Sequence, residues 1–175
     1  ENFGPGLIAR VGEEAPGVRL HFLQKANKDS APLRDGTVDL ETGVIEKTTA
    51  QELRVHALFR ERLIGVVRTG HPRPKGKLTP CRPPAQIPPP RSAGAQHIAA
   101  SRQGLEKGPI EEALQRLGLE RDIVTIVGGF ATAIALARAS DLIATVPERH
   151  TGILRAGMHS FSLPFSTPEF TVSLL

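Results

Sequence analysis

Apolar and polar positions recur along the chain with two periods, one helical and one extended, and their order predicts a mixed α/β fold. The clearest pattern spans residues 123–153. An apolar β-branched run at 123–127 predicts a buried strand, an alanine-rich run at 130–138 predicts a helix, and residues 141–146 predict a second buried strand. Such a strand–helix–strand unit implies parallel strands with helices packed on the sheet.

The same two periods predict the other elements. Helical spacing favours a helix over residues 3–14 and a second helix that begins at Pro109 and ends at Gly118. A short helical turn is expected at 30–36, and Pro147 is expected either at a strand end or in the first turn of a short helix that carries Glu148 and Arg149. Apolar runs and alternation predict strands at 18–24, 38–45, 53–59, 63–68, 96–101, 157–163 and 170–175.

Gly128 and Gly129 join the first strand of the central unit to its helix. Glycine allows a ligand to approach the backbone closely, and a helix N-terminus presents unpaired N–H groups that attract anions. Ligands of open α/β sheets bind outside the carboxyl ends of the strands. Two interpretations stay open from the sequence: an anion site, or a tight turn that needs glycine.

Two proline-containing segments predict that the chain crosses twice between lobes, as in a two-lobed ligand trap. Residues 72–90 are proline-rich and are expected to form an irregular loop. The predicted organisation is a first lobe of residues 1–69 and 168–175, a second lobe of residues 76–163, and crossings at 70–75 and 164–167.

Composition narrows the function classes. With 175 residues, 39% of them hydrophobic and 23% charged, the chain has the composition of a soluble globular protein. No apolar run approaches the roughly 20 residues that span a bilayer. A net charge of +4 without Trp or Tyr gives no support to direct nucleic-acid binding.

The chemistry-bearing residues do not predict an enzyme or a cofactor. Cys81 is the single cysteine, so no internal disulfide or multi-cysteine metal site is possible. The six histidines are scattered, and neither a Gly-x-Ser-x-Gly elbow nor a phosphate-binding loop is present. Asp39 and Glu41 alternate with apolar residues, and a solvated strand face is favoured over a catalytic carboxylate pair.

Several motifs resemble the effector-binding region of LysR-type transcriptional regulators, which share the type 2 periplasmic-binding-protein fold. They are Gly36 to Leu40 (Gly-x-x-Asp-Leu), Gly70-His71-Pro72, Ile126 to Pro147, and Leu163-Pro164-Phe165. The resemblance implies an α/β fold truncated at both ends, from a bacterial cytoplasmic regulator that binds a small, often anionic, metabolite between two lobes. It also implies a homo-oligomer, either dimer or tetramer, that reaches DNA only through an N-terminal helix-turn-helix domain outside this chain. A freestanding solute-binding protein of a transport system is the alternative.

By position, the resemblance implies effector contacts from Val44 and Ile45 in the first lobe. In the second lobe the implied contacts are Ser101, Arg102, Gly129, Phe130, Ala131, Val146 and Pro147. Ser101 is expected to donate a hydrogen bond to an effector carboxylate, Arg102 to add positive charge, and Phe130 to form an apolar wall. The alternatives are a loop cap for Ser101, a solvated side chain for Arg102 and a core position for Phe130.

Overall fold

The computed structural model describes residues 3–23, 25, 30–45, 53–72, 95–101, 104–105 and 108–175. The chain divides into two compact units. The first contains Phe3–Glu61 and Glu169–Leu175, and the second contains Arg62–Pro168. The proline-rich stretch at 73–90 and Cys81 lie outside the described residues.

The first unit combines two helices with an antiparallel sheet. Helix α1 spans Gly4–Glu14 and helix α2 spans Ala31–Arg34. Strands β1 (Thr42–Val44) and β2 (His56–Glu61) pair with the two edges of β8 (Phe170–Leu174), so that the last strand of the chain lies in the centre. No residue of α1 or α2 is buried.

The second unit is built on a five-stranded sheet in the order β5-β4-β6-β3-β7. Strands β4 (Gln96–Ala100), β5 (Asp122–Val127) and β6 (Ile143–Pro147) are parallel, with β4 between the other two. Strand β3 (Leu63–Arg68) runs antiparallel to β6 and to β7 (Met158–Ser162). The predicted strand–helix–strand unit therefore forms, but its two strands both pair with β4 rather than with each other.

Helix α4 (Phe130–Ala139) covers one face of this sheet with its small residues. Its three buried side chains, Ala133, Ile134 and Ala137, pack in the main core against buried residues of β3, β4 and β6. Those residues are Ile64, Val66, Ile98, Ala144 and Val146. Helix α3 (Pro109–Gln115) is linked to β6 by Arg121, which donates to Thr145 Oγ1 at 3.2 Å and pairs with Glu111 of α3. Gly118, predicted to end this helix, has a φ of +65°, which glycine adopts without strain.

Two local predictions were wrong. Residues 18–23 do not form the predicted strand, and no described strand pairs with them, although Val18 and Phe22 alternate as a strand would. Alternation specifies a strand only when a neighbouring strand accepts its hydrogen bonds. The strand predicted at 38–45 shortens to β1. Pro147 takes the first of its two predicted positions, because it ends β6, and turns then precede a 3₁₀ helix at Ile153–Arg155.

The observed division also differs from the predicted lobe boundaries. Strand β3 was assigned to the first lobe, but its hydrogen bonds go to β6 and β7, which places it in the second sheet. The chain consequently divides after Glu61 rather than after residue 69. Residues 164–167, predicted as a crossing, belong to the second unit.

Candidate ligand site at the carboxyl edge of the second sheet

Three parallel strands of the second unit end at the same edge of the sheet. Strand β4 ends at Ala100, β5 at Val127 and β6 at Pro147. Just past the end of β4, the Ser101 N–H donates to Val127 O at 2.8 Å, so the ends of β4 and β5 are held together. In open α/β sheets this edge is where ligands bind.

Helix α4 opens directly at this edge. Gly129 is its N-cap residue, with an extended backbone (φ −168°, ψ 164°) and no side-chain cap. A Cβ atom added at Gly128 or Gly129 would meet no atom within 4 Å apart from the chain neighbours. The unpaired N–H groups of the first helical turn therefore face accessible space, an arrangement that suits an anion.

Ser101 lies beside this helix and also organises its own loop. Its Oγ accepts the Leu105 N–H at 2.9 Å, and its carbonyl accepts the Gly104 N–H at 3.3 Å. Ser101 therefore caps its own loop, which was the alternative interpretation of this residue from the sequence. The hydroxyl proton of Ser101 has no acceptor among the described residues, so the side chain can still donate. Arg102 lies outside the described residues.

The other predicted residues of the second lobe separate into accessible and core positions. Ala131 is exposed in the first turn of α4, and Phe130 is half-buried against the main core. Val146 is fully buried in that core. Pro147 is buried as well, and its carbonyl accepts the Thr151 hydroxyl at 2.5 Å.

Val44 and Ile45 belong to the first unit. Val44 is the last residue of β1 and pairs with Val172 of β8. Its side chain is 49% exposed, and that of Ile45, the next residue, is 38% exposed. Both side chains are therefore accessible on their own unit.

Sequence analysis missed a network in the loop that follows β6. Arg62 donates from Nε and Nη2 to Oε2 and Oε1 of Glu148, at 2.5 and 2.9 Å. These hydrogen bonds from Arg62 lower the pKa of the Glu148 carboxyl below its ordinary value. Arg155 binds the same loop, as three of its nitrogens donate to Glu148 O, Thr151 Oγ1 and Ser160 Oγ.

His150 of this loop reaches the N-terminus of α4. Its ring lies edge-on to the ring of Phe130, with 6.3 Å between the centroids and 72° between the planes. No local signal in the sequence could have identified this contact, because it depends on how the loop after β6 folds over the sheet edge.

A metal-ion cluster and a membrane-spanning helix are both absent from the described residues. No cluster of three or more His, Cys, Asp or Glu side chains suited to a metal ion occurs among them. None of the helices in the described part of the chain is long and apolar enough to cross a membrane.

Comparison with known proteins identifies relatives along the whole chain. The LysR substrate binding domain family matches residues 1–175. The transcriptional activator NagR of a Ralstonia species is 23% identical over 175 residues, which cover 98% of this chain and 55% of that protein. The chain thus spans about half the length of the curated relatives that it matches. Two of these relatives, NagR and NahR of Pseudomonas putida, are transcriptional activators.

Solved structures agree with this assignment. A probable transcriptional regulator from Pseudomonas aeruginosa superposes with a TM-score of 0.73 at 26% identity, covering 97% of this chain and 55% of that one. The BenM effector-binding domain, solved with its effector benzoate, superposes with a TM-score of 0.63 at 17% identity, covering 98% of this chain and 76% of that one. The predicted α/β fold, of the two-lobed periplasmic-binding-protein type, is confirmed.

Proposed function

The chain belongs to the LysR substrate-binding domain family, and from this premise we propose that it binds a small anionic effector at the carboxyl edge of its second sheet. The ligand's negative group is held by the first N–H groups of α4 and by the Ser101 hydroxyl. Phe130 supplies an apolar surface beside it. Binding changes the activity of a longer, DNA-binding regulator in the bacterial cytoplasm.

The observation that carries the proposal is the uncapped, open N-terminus of α4. Gly129 provides no side-chain cap for the first-turn N–H groups, and a Cβ atom added there would meet no atom within 4 Å apart from the chain neighbours. Helix N-termini of this kind bind carboxylates and phosphates through both N–H donation and the helix dipole. A neutral ligand would gain only part of this interaction.

An aromatic carboxylate is the ligand class that best fits the accessible groups. Phe130 is half-buried, and its ring already makes an edge contact with His150, so a further planar ring can pack beside it. The BenM effector-binding domain takes benzoate as its effector. Benzoate is accordingly the first probe for this chain.

Titration calorimetry with benzoate and a panel of other small carboxylates tests this function. We expect at least one of them to bind, and Ser101→Ala to weaken that binding by about 2- to 10-fold, the range for loss of one hydrogen bond. Ser140→Ala removes a hydroxyl that donates to Leu136 O and accepts the Leu142 N–H at the opposite end of α4; it is the matched control and should bind as the parent does. Absence of binding by every carboxylate in the panel would contradict the proposal.

We also propose that the chain self-associates through the apolar face of α1 and the surface beside α3. Phe3, Leu7 and Ile8 are each close to half exposed on α1, although helical periodicity places them on one face. In the second unit a groove of about 380 Å³ runs beside α3 and is lined mostly by apolar residues, among them Pro109, Leu117, Pro164 and Phe165.

Sedimentation velocity measures this association. Leu7→Glu should shift the chain toward monomer, because it introduces a charge into the apolar face. Glu13→Gln, a change at an exposed polar position of the same helix, should leave the association unchanged. A parent chain that is monomeric at all concentrations would contradict self-association.

A further inference from the structure

Arg155 uses its whole guanidinium to hold the loop that follows β6. Nε donates to Thr151 Oγ1 at 3.1 Å, Nη1 to Ser160 Oγ at 2.6 Å, and Nη2 to Glu148 O at 2.6 Å. Thr151 is fully buried, and its hydroxyl donates in turn to Pro147 O at 2.5 Å. The loop is therefore fixed at its start, at its middle and against β7.

His150 lies within the segment that Arg155 encloses, between Glu148 and Thr151. Its half-buried ring makes a T-shaped contact with the ring of Phe130, the first residue of α4. An imidazole can donate or accept a hydrogen bond according to its protonation state. The contact thus brings a titratable, polar ring to the helix terminus where an anion is proposed to bind.

We propose that Arg155 is a positioning residue that fixes His150 against Phe130 and so makes His150 part of the effector site. This inference rests on the proposed function only for the identity of the site, because the contact of His150 with Phe130 exists without ligand. His150 then helps to determine which carboxylates bind, as its ring borders the space beside Phe130.

The three hydrogen bonds of Arg155 require a planar guanidinium. Three acceptors lie in three directions around Arg155, and a lysine ammonium is a single point that cannot reach all of them. Arg155→Lys should therefore keep the charge and release the loop. Arg138 provides a comparison within the same connection, because its guanidinium binds two carbonyls on either side of Arg155, Leu154 O at 2.7 Å and Ala156 O at 2.9 Å, rather than groups of residues 148–151.

The test is the nuclear magnetic resonance signal of the His150 ring, in which the nearby Phe130 ring produces a ring-current shift. Phe130→Leu defines the position of the His150 Cε1–Hε1 peak without that ring. We expect Arg155→Lys to move the peak toward this position and Arg138→Lys to leave it in place. If Arg155→Lys does not fold, Thr151→Val removes the hydroxyl that links Arg155 to Pro147 and should move the peak in the same direction.

Titration of the same samples with benzoate measures whether the position of His150 affects ligand binding. Where the parent binds benzoate, Arg155→Lys and His150→Ala should each weaken binding by about 2- to 10-fold, and Arg138→Lys should not. A parent that binds no benzoate counts against the proposed ligand and leaves the peak shift as the test of positioning. An unmoved His150 peak in both Arg155→Lys and Thr151→Val, or in Phe130→Leu, would overturn the inference.

Discussion

Arg62 and Glu148 lie 86 positions apart in the sequence and form a bidentate ion pair, with Nε–Oε2 and Nη2–Oε1 distances of 2.5 and 2.9 Å. The backbone reinforces this contact, since the Glu148 N–H donates to Arg62 O at 2.9 Å. Arg62 is the residue with which the second unit begins, and Glu148 follows directly on β6. Side-chain and backbone hydrogen bonds therefore hold the first residue of this unit against the loop that contains His150.

This ion pair predicts an acid-sensitive contribution to stability. The pKa of Glu148 is lowered from 4.5 in the folded protein, first by its hydrogen bond with Arg62. A lowered folded-state pKa gives a stabilisation that is fully present above the unfolded-state pKa and is lost as the pH falls through the folded-state pKa. Because the two side chains are 53% and 36% exposed, the contribution is about 1 kcal/mol or less.

Urea denaturation at pH 7 and pH 3 measures this contribution. Glu148→Gln should be less stable than the parent at pH 7, and the difference should shrink as the pH falls through the folded-state pKa of the Glu148 carboxyl. Glu14→Gln removes the carboxylate of the more exposed Arg10–Glu14 pair and should change stability less. A Glu148→Gln difference that is equal at both pH values would show that the charge does not stabilise the fold.

Gly65 and Phe161 form a second contact with a defined consequence. They are paired on β3 and β7, and a Cβ atom added at Gly65 would overlap the Phe161 ring. Gly65→Ala should therefore destabilise the second unit by about 1–3 kcal/mol, as overpacking does. Adding Phe161→Leu should recover part of this loss in a double-mutant cycle.

The control for Gly65 is Gly12→Ala. Gly12 lies in α1, where an added Cβ would meet nothing within 4 Å. Alanine in place of a helical glycine should raise helix stability by about 0.5–1 kcal/mol. Equal effects of the two substitutions in chemical denaturation would contradict the packing of Phe161 over Gly65.

Substitution of Val146 distinguishes a residue that only packs in the core from one that contacts the ligand. Its side chain is fully buried with Ile134 of α4, so Val146→Ala should cost about 2–3 kcal/mol of unfolding free energy. Carboxylate affinity of the folded fraction should stay as in the parent. A large loss of affinity with unchanged stability would instead support the prediction from the sequence that Val146 contacts the effector.

Elements with a strong local pattern were predictable. The alanine-rich run that forms α4 and the β-branched run that forms β5 need only their own periods to identify them. The Gly128-Gly129 junction could also be identified as a candidate site, because its meaning depends on a strand and a helix that adjoin it in sequence.

Features that depend on distant partners were not predictable. Residues 18–23 have the alternation of a strand, but pairing is decided by neighbours that alternation does not reveal. Strand β3 follows β2 directly, and only its hydrogen bonds to β6 and β7 assign it to the other sheet. The positions of Arg155 and His150 have the same origin, since each depends on contacts that the folded loop creates.

Substitution at Gly129 measures most directly whether an anion binds at the N-terminus of α4. The Cβ atom of an aspartate there would meet no atom within 4 Å apart from the chain neighbours, and aspartate is a favoured N-cap residue whose carboxylate would accept the N–H groups proposed to bind the ligand. Gly129→Asn has the same shape without the charge. By calorimetry, Gly129→Asp should be at least as stable as the parent and should lose binding of the carboxylate that the parent takes, while Gly129→Asn should retain more of it. Equal affinity of the parent and Gly129→Asp for that carboxylate would contradict the proposed site.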